Sequence, residues 1–311
     1  MGIITYADIV RNRVNEIKEQ RAMLARGEDP RAVIPTGLHE FDKRAGIERR
    51  ILTVIGAATG EGKSIFKLHI SMAAAQLGYR VLLLDFEDPG ERTADRSLST
   101  ITNIDNAKIL GLELSDVEMK QIITASENIY EWGENIEFHQ GLIDTNEALG
   151  IIESSDADLK QIDYAQAFPE SNDKTLERTI SDFAWKVNKN AQETNSANII
   201  YSQIKSAVEE RGLRQYERAK GRDPDGPVFV EGFRPFGAAD LAWATALGQR
   251  GKGLGYLFRP NRYRRRFGET VKDNVMELIW PKKNFGKEGR VVVGFDGAHA
   301  KLYNLDKKVA T

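Results

Sequence analysis

Residues 57 to 64 read Ala57-Ala58-Thr59-Gly60-Glu61-Gly62-Lys63-Ser64: a small residue, four variable positions, then Gly-Lys-Ser. The motif sits between an apolar run, Ile51 to Ile55, and a helix-forming stretch from Lys63 to Gln76. Backbone N–H groups of such a turn, with a helix dipole behind them, form an anion nest suited to phosphates. Ala58, Thr59, Gly60, Glu61 and Gly62 would wrap the phosphates of ATP, Lys63 would reach the β- and γ-phosphates, and the Ser64 hydroxyl would ligate the accompanying Mg²⁺.

Hydrolysis needs more: a carboxylate that organises the metal and a group that activates water. Acids stand where they are needed, at the ends of apolar runs. Asp85 and Glu87 close the run Val81–Phe86, and period-two alternation puts them on one side with Glu87 further toward the carboxyl end, where open α/β sheets collect ligands. Asp163 closes Leu159–Ile162, a run interrupted by Lys160 and Gln161, and reads as a metal-organising aspartate or as a turn residue. Whether Asp85 or Asp163 is the principal Mg²⁺ organiser stays open. Gln203 ends a further run from Asn198, where a γ-phosphate sensor would sit.

Placing these groups requires an α/β frame. The runs Ile51–Ile55, Val81–Phe86, Ile136–His139, Leu159–Ile162 and Asn198–Tyr201 alternate with helical patterns, as a mostly parallel sheet demands. After residue 250 the runs Leu254–Phe258, Val275–Ile279, Val291–Phe295 and Lys301–Tyr303 read as antiparallel strands at the sheet edge. Ahead of the sheet, Thr5 and Asp8 form a capping pair, followed at near-helical spacing by Tyr6, Val10, Val14, Ile17 and Leu24. This amphipathic helix packs on its own domain or docks on a neighbouring subunit. The breaker-rich stretch Gly27 to Pro35 divides the chain into a helix with its connector, 1–30, and a main domain, 31–311.

Composition narrows the classes. With 41% hydrophobic and 29% charged residues and no apolar stretch of bilayer length, the 311-residue chain reads as soluble, cytoplasmic and free of membrane segments. It has no cysteine and four scattered histidines, which excludes disulfides and thiolate metal sites. A net charge of -2 leaves any nucleic-acid binding to local basic patches. One is the charged, turn-rich segment from Lys205 to Gly237, read as a mobile loop, where Arg211, Arg214, Arg234, Phe236 and Gly237 could follow and stack on single-stranded DNA. Another, Arg259 to Arg266, reads as a solvated loop or as a DNA contact.

Taken together, Ile34-Pro35-Thr36-Gly37-Leu38 with Phe41-Asp42, the phosphate loop, Phe86-Glu87, Ile162-Asp163-Tyr164-Ala165-Gln166 and Ser202-Gln203 resemble, in order and spacing, the motor of DnaB-type replicative helicases. That resemblance spans roughly residues 5 to 305. It implies a RecA-like phosphate-loop ATPase core with an N-terminal linker helix, assembled as a homo-hexamer that hydrolyses ATP to translocate on single-stranded DNA. It makes Glu87 the water-polarising acid, Asp163 the Mg²⁺ organiser and Gln203 the sensor. It places Lys282 and Lys283 as a finger inserted into the neighbour's site, although Pro281 and Lys283 depart from the family's basic residue and arginine. The chain is too short for the helical N-terminal domain with which that family contacts primase, so a primase or loader partner does not follow from the sequence. Two other readings fit the same residues: a recombinase- or clock-type ATPase that does not unwind, and a nucleotide-gated assembly protein. The phosphate-loop reading makes a direct prediction: Lys63→Ala abolishes ATP binding in a nucleotide titration, because it removes the cation that neutralises the β- and γ-phosphates.

Overall fold

The computed structural model describes residues 5–26, 33–44, 46–163, 176–224, 226–242, 247–248, 250–271, 274–282 and 289–305. One nine-stranded sheet carries the molecule, in the order β11-β10-β9-β8-β3-β7-β6-β4-β5. Its centre is β3 (Leu52–Ala57), buried along its whole length and paired in parallel with β7 (Ala197–Gln203) and β8 (Gly253–Phe258). Beyond β7 come β6 (Leu159–Asp163), β4 (Val81–Asp85) and β5 (Ile136–Gln140), all parallel. On the other side β9 (Val275–Lys282), β10 (Gly289–Asp296) and β11 (Lys301–Tyr303) form an antiparallel meander. A separate ribbon pairs β1 (Val33–Ile34) with β2 (Ile47–Glu48).

The parallel strands place their carboxyl ends along one edge, and the phosphate loop leaves β3 at that edge for α3 (Lys63–Gln76). Apolar clusters cover both faces of the sheet. Phe66, Ile70 and Ala74 of α3 pack on one face with Phe41 and Trp280, whose rings meet edge to face at 5.2 Å. The other face is covered by α7 (Thr145–Ser154) and α8 (Leu176–Thr194) through Ile152, Ile180, Phe183 and Val187.

Two expectations need correction. Leu254–Phe258 is not part of the antiparallel edge: β8 lies beside β3 and parallel to it, and the meander starts only at β9. Every residue of β8 is buried, the pattern of a strand covered on both faces. The segment after Lys205 is not a mobile loop either; it folds as a 17-residue helix, α9 (Ser206–Arg222). Val208 and Gly212 are buried, Leu213 and Tyr216 pack on a cluster with Val228, Val230 and Phe233, and Tyr216 stacks on Phe267 at 4.0 Å. This apolar face recurs at helical spacing beneath a dense cover of charge.

The interruption of β6 by Lys160 and Gln161 proves to be internal wiring. Lys160 Nζ donates to the carbonyls of Ile152 and Ser155, both at 2.8 Å, and to Asn190. Gln161 donates to Ser71 Oγ and accepts from the Tyr201 hydroxyl, each at 2.6 Å. Such groups are tolerated in a core because each has a partner. Helix α1 (Tyr6–Ala25), capped by Thr5 and Asp8, has the opposite character: Tyr6 is 80% exposed, and Val10, Val14 and Ile17 are exposed below it. No described helix is long and apolar enough to cross a membrane.

Burial holds His69 of α3 neutral, moving its pKa down from 6.5 to about 4 despite a hydrogen bond to the backbone of Thr36. The unfolded chain therefore binds a proton that the folded chain refuses. This term is absent above about pH 6.5 and costs stability progressively as pH falls toward about 4, by up to about 3 kcal/mol. Urea denaturation at pH 7 and pH 4.5 should show a smaller loss for His69→Gln than for the parent chain.

Candidate functional site

Gly62 closes the phosphate loop at φ 93°, in the left-handed region, and no side chain caps the helix that follows. A Cβ at this position would lie 2.6 Å from the Phe295 ring and 2.7 Å from Met276 Cε, so only glycine fits. The loop borders a cavity of about 340 Å³ lined by Ala58, Thr59, Gly60, Gly62, Lys63 and Ser64, with Glu87, Arg96, Gln203, Arg259 and Phe295 on the facing walls. Residues from five strand ends and loops thus meet at one place, as expected at the carboxyl edge of a parallel sheet.

Within it the charges interlock. Lys63 Nζ lies 2.8 Å from Asp163 Oδ1 and 3.1 Å from Glu87 Oε2. Burial favours the neutral amine, but Asp163 and then Glu87 outweigh it and hold the Lys63 pKa above its ordinary value. Asp163 is fully buried beneath the loop, whereas the Glu87 side chain is 48% exposed. Asp85, the other candidate for organising the metal, is also buried: its Oδ1 accepts from the amides of Glu87 and Asp88, and its Oδ2 meets Lys67.

Sequence reasoning missed Asp88 and Arg96, and the hold of Arg259 and Arg262 on the phosphate loop. Burial would raise the Asp88 carboxyl, but the Arg96 guanidinium at 2.7 Å, assisted by a hydrogen bond from Ser64, holds it below the usual carboxylate range. The signal was the second acid of Glu87-Asp88. Arg259 and Arg262, expected on a solvated loop or against DNA, flank the start of α10 (Pro260–Arg266) and grip the phosphate loop. Arg259 donates from its backbone N–H to Glu61 Oε2 at 2.6 Å and from Nη1 to the carbonyl of Gly60, while its guanidinium lies 3.8 Å from the Phe295 ring centre. Arg262 donates to the Thr59 carbonyl at 2.6 Å and to Glu61 Oε1 at 3.0 Å. Glu61 therefore faces inward as an anchor; burial raises its pKa, and Arg262 and Arg259 oppose the rise.

The residues read as contacts for nucleic acid gather apart from this cavity. Arg211 pairs with Asp240 at 3.0 Å, donates to the carbonyls of Gly232 and Arg234, and covers the Phe236 ring at 4.3 Å. Arg234 grips Glu277 through two hydrogen bonds of 2.7 and 2.8 Å. Both guanidinium groups therefore brace the turn around Gly237, leaving Phe236, 67% exposed, and Arg214 turned outward. This turn is joined to the strand that ends in Gln203: Ala242 N donates to the Gln203 carbonyl at 2.9 Å, and Lys205 N to that of Asp240. Lys283 and the side chain of Lys282 lie outside the described residues.

Oxygen donors suit a hard cation such as Mg²⁺. Ser64 faces the cavity, and Asp163 Oδ1 is a buried oxygen directed at the Lys63 ammonium, 2.8 Å away. No group of three or more acidic, His or Cys side chains that could hold a metal alone is found among the described residues, so water and nucleotide phosphates would complete its shell.

A family model described as the DnaB-like helicase C terminal domain matches residues 33–304. A relative from Pasteurella multocida (strain Pm70), named replicative DNA helicase DnaB, is 25% identical over 289 residues, which cover 88% of this chain and 55% of the relative. The chain spans about half the length of the curated relatives it matches. Among solved structures, a DnaB-like replicative helicase, described with its interactions with primase, superposes with a TM-score of 0.77 at 20% identity, over 98% of this chain and 68% of its own. The RadB recombinase aligns at 0.53 and 13% identity, over 88% of this chain and 100% of its own. The fold is thus RecA-like. Because Glu61 anchors the loop, Glu61→Ala should cost about 1–3 kcal/mol of stability by leaving the Arg259 amide unpaired. It should also weaken nucleotide binding by about tenfold, equivalent to 1.4 kcal/mol, as read by thermal denaturation and by titration.

Proposed function

Since the chain belongs to the DnaB-like helicase C-terminal domain family, we propose that it is a DnaB-type motor, which hydrolyses ATP at the subunit interfaces of a hexameric ring and moves on single-stranded DNA in the cytoplasm. The observation that carries this reading is the cavity in which the phosphate loop, Glu87, Arg96 and Gln203 face one another. Catalysis of phosphoryl transfer is positioning plus electrostatics, and this cavity supplies both.

In this reading the loop amides hold the phosphates and Lys63 neutralises the β/γ pair. Glu87 polarises a water and takes its proton as the water oxygen bonds to the γ-phosphorus and the bond to the β–γ bridging oxygen breaks, releasing ADP. Mg²⁺, when bound, would neutralise charge on the phosphate oxygens, with Ser64 as its ligand and Asp163 organising its shell. Gln203 senses the γ-phosphate. Its strand end is hydrogen-bonded to the segment that follows Phe236 and Gly237, which offers a short path from nucleotide to DNA. Of the residues proposed to contact DNA, Phe236 and Arg214 would touch the strand, and Arg211 and Arg234 would keep the turn rigid. Lys283, assisted by Lys282, would act on the neighbour's nucleotide. The exposed stripe of α1 supports a helix that docks on an adjacent subunit, because its apolar residues are not covered by their own chain.

Two assays test the reading. ATP turnover should rise with single-stranded DNA, and a forked duplex should be unwound; turnover without strand displacement would favour a RecA-like ATPase that does not unwind. Glu87→Gln should keep nucleotide affinity and lose turnover by about two to four decades. Normal turnover in that variant, with Asp85→Asn inactive, would move the role to Asp85.

A further inference from the structure

Lys67 lies one helical turn beyond Lys63 on α3, and the proposed hydrolysis makes no use of it. It is 1% exposed. An ammonium ion at that depth persists only where opposite charges and hydrogen bonds surround it. Both are present: Nζ donates to Asp85 Oδ2 and to Asp163 Oδ2, each at 2.5 Å. The two aspartates are direct partners across β4 and β6, so without Lys67 two buried carboxylates would stand side by side.

The second oxygen of Asp85 extends this contact toward the cavity. Oδ1 accepts from the backbone N–H of Glu87 at 3.2 Å and of Asp88 at 2.9 Å, so it shapes the turn that ends β4. Asp88 then reaches the Ser64 hydroxyl. The Glu87 side chain is half exposed, so its aim depends on where this turn holds its backbone. On the other branch, the grip on Asp163 Oδ2 leaves Oδ1 directed at Lys63.

We infer that Lys67 is a positioning residue for hydrolysis: through Asp85 it fixes the turn from which Glu87 faces the phosphate loop. The inference rests on the reading of Glu87 as the water-polarising acid. It differs from simple charge balance in one respect, because a residue that acts through Glu87 has nothing left to contribute once Glu87 is inactive.

The test is a cycle of Lys67→Met, Glu87→Gln and the double variant, with kcat and nucleotide affinity measured separately. Lys67→Met should keep affinity within about twofold and lower kcat by about a hundredfold, the cost of misplacing a reacting group by an ångström. In the Glu87→Gln background the same substitution should change kcat by less than about twofold. Losses that multiply, or a loss confined to affinity, would overturn the inference. If circular dichroism shows Lys67→Met to be unfolded, Asp85→Asn takes its place in the cycle with the same expectation, since it leaves Lys67 and Asp163 as a balanced pair. Normal turnover in Glu87→Gln alone would instead remove the reading of Glu87 on which the inference stands.

Discussion

Two carboxylates buried side by side repel each other, and the molecule resolves that repulsion with lysines from a single helix. Asp85 and Asp163 face each other in register at the ends of β4 and β6. Lys67 lies between them, and Lys63, one turn earlier on α3, meets the other oxygen of Asp163. A helix that begins at a phosphate loop must point its first turn toward the strand ends, so its lysines arrive where the acids are. Taking these charges out of water is expensive, and the contacts repay it only because the geometry is fixed from both sides. The rest of the cavity inherits that geometry: the β4 turn carries Glu87 and Asp88, and Asp88 in turn holds Ser64.

Much of the frame was legible. The strand positions followed from short apolar runs, and the phosphate loop from spacing that few other structures require. The loop could be read because its glycines answer a backbone need, such as the left-handed Gly62 against Phe295. What escaped was interaction between distant segments. Lys160 and Gln161 looked like flaws in a strand because their partners, Ile152, Ser155 and Ser71, come from other elements. Arg259 and Arg262 looked solvated or turned to DNA because a run of arginines resembles a surface, and Glu61, their shared partner, lies some two hundred positions earlier. In α9 charge density hid an apolar face. The direction of β8 was misread because apolar residues on both faces mark burial, while local sequence says nothing of the neighbour's direction.

The same distinction applies to the basic residues. Positive charge in the sequence suggested contacts with a polyanion, yet Arg211 and Arg234 are engaged with Asp240 and Glu277, and Arg259 and Arg262 with the phosphate loop. Arginine serves both purposes for one reason: its planar fork of donors can hold several carbonyls and a carboxylate at once. An arginine count is therefore a poor measure of a binding surface. The bracing arginines hold a turn that exposes the Phe236 ring, and that turn is bonded to the strand ending in Gln203.

The anchoring of the phosphate loop by α10 has a consequence for how the chain matures. Glu61 accepts the amide of Arg259, 198 residues further along. A growing polypeptide passes the loop early, but the groups that fix its shape emerge only after β7, α9 and β8 have been made. Contacts of such long sequence separation form late, since the loop-closure entropy must be met before they contribute. The phosphate loop is thus among the first chemically competent segments to be synthesised and among the last to be set. A phosphate loop in its final shape then marks a nearly complete fold.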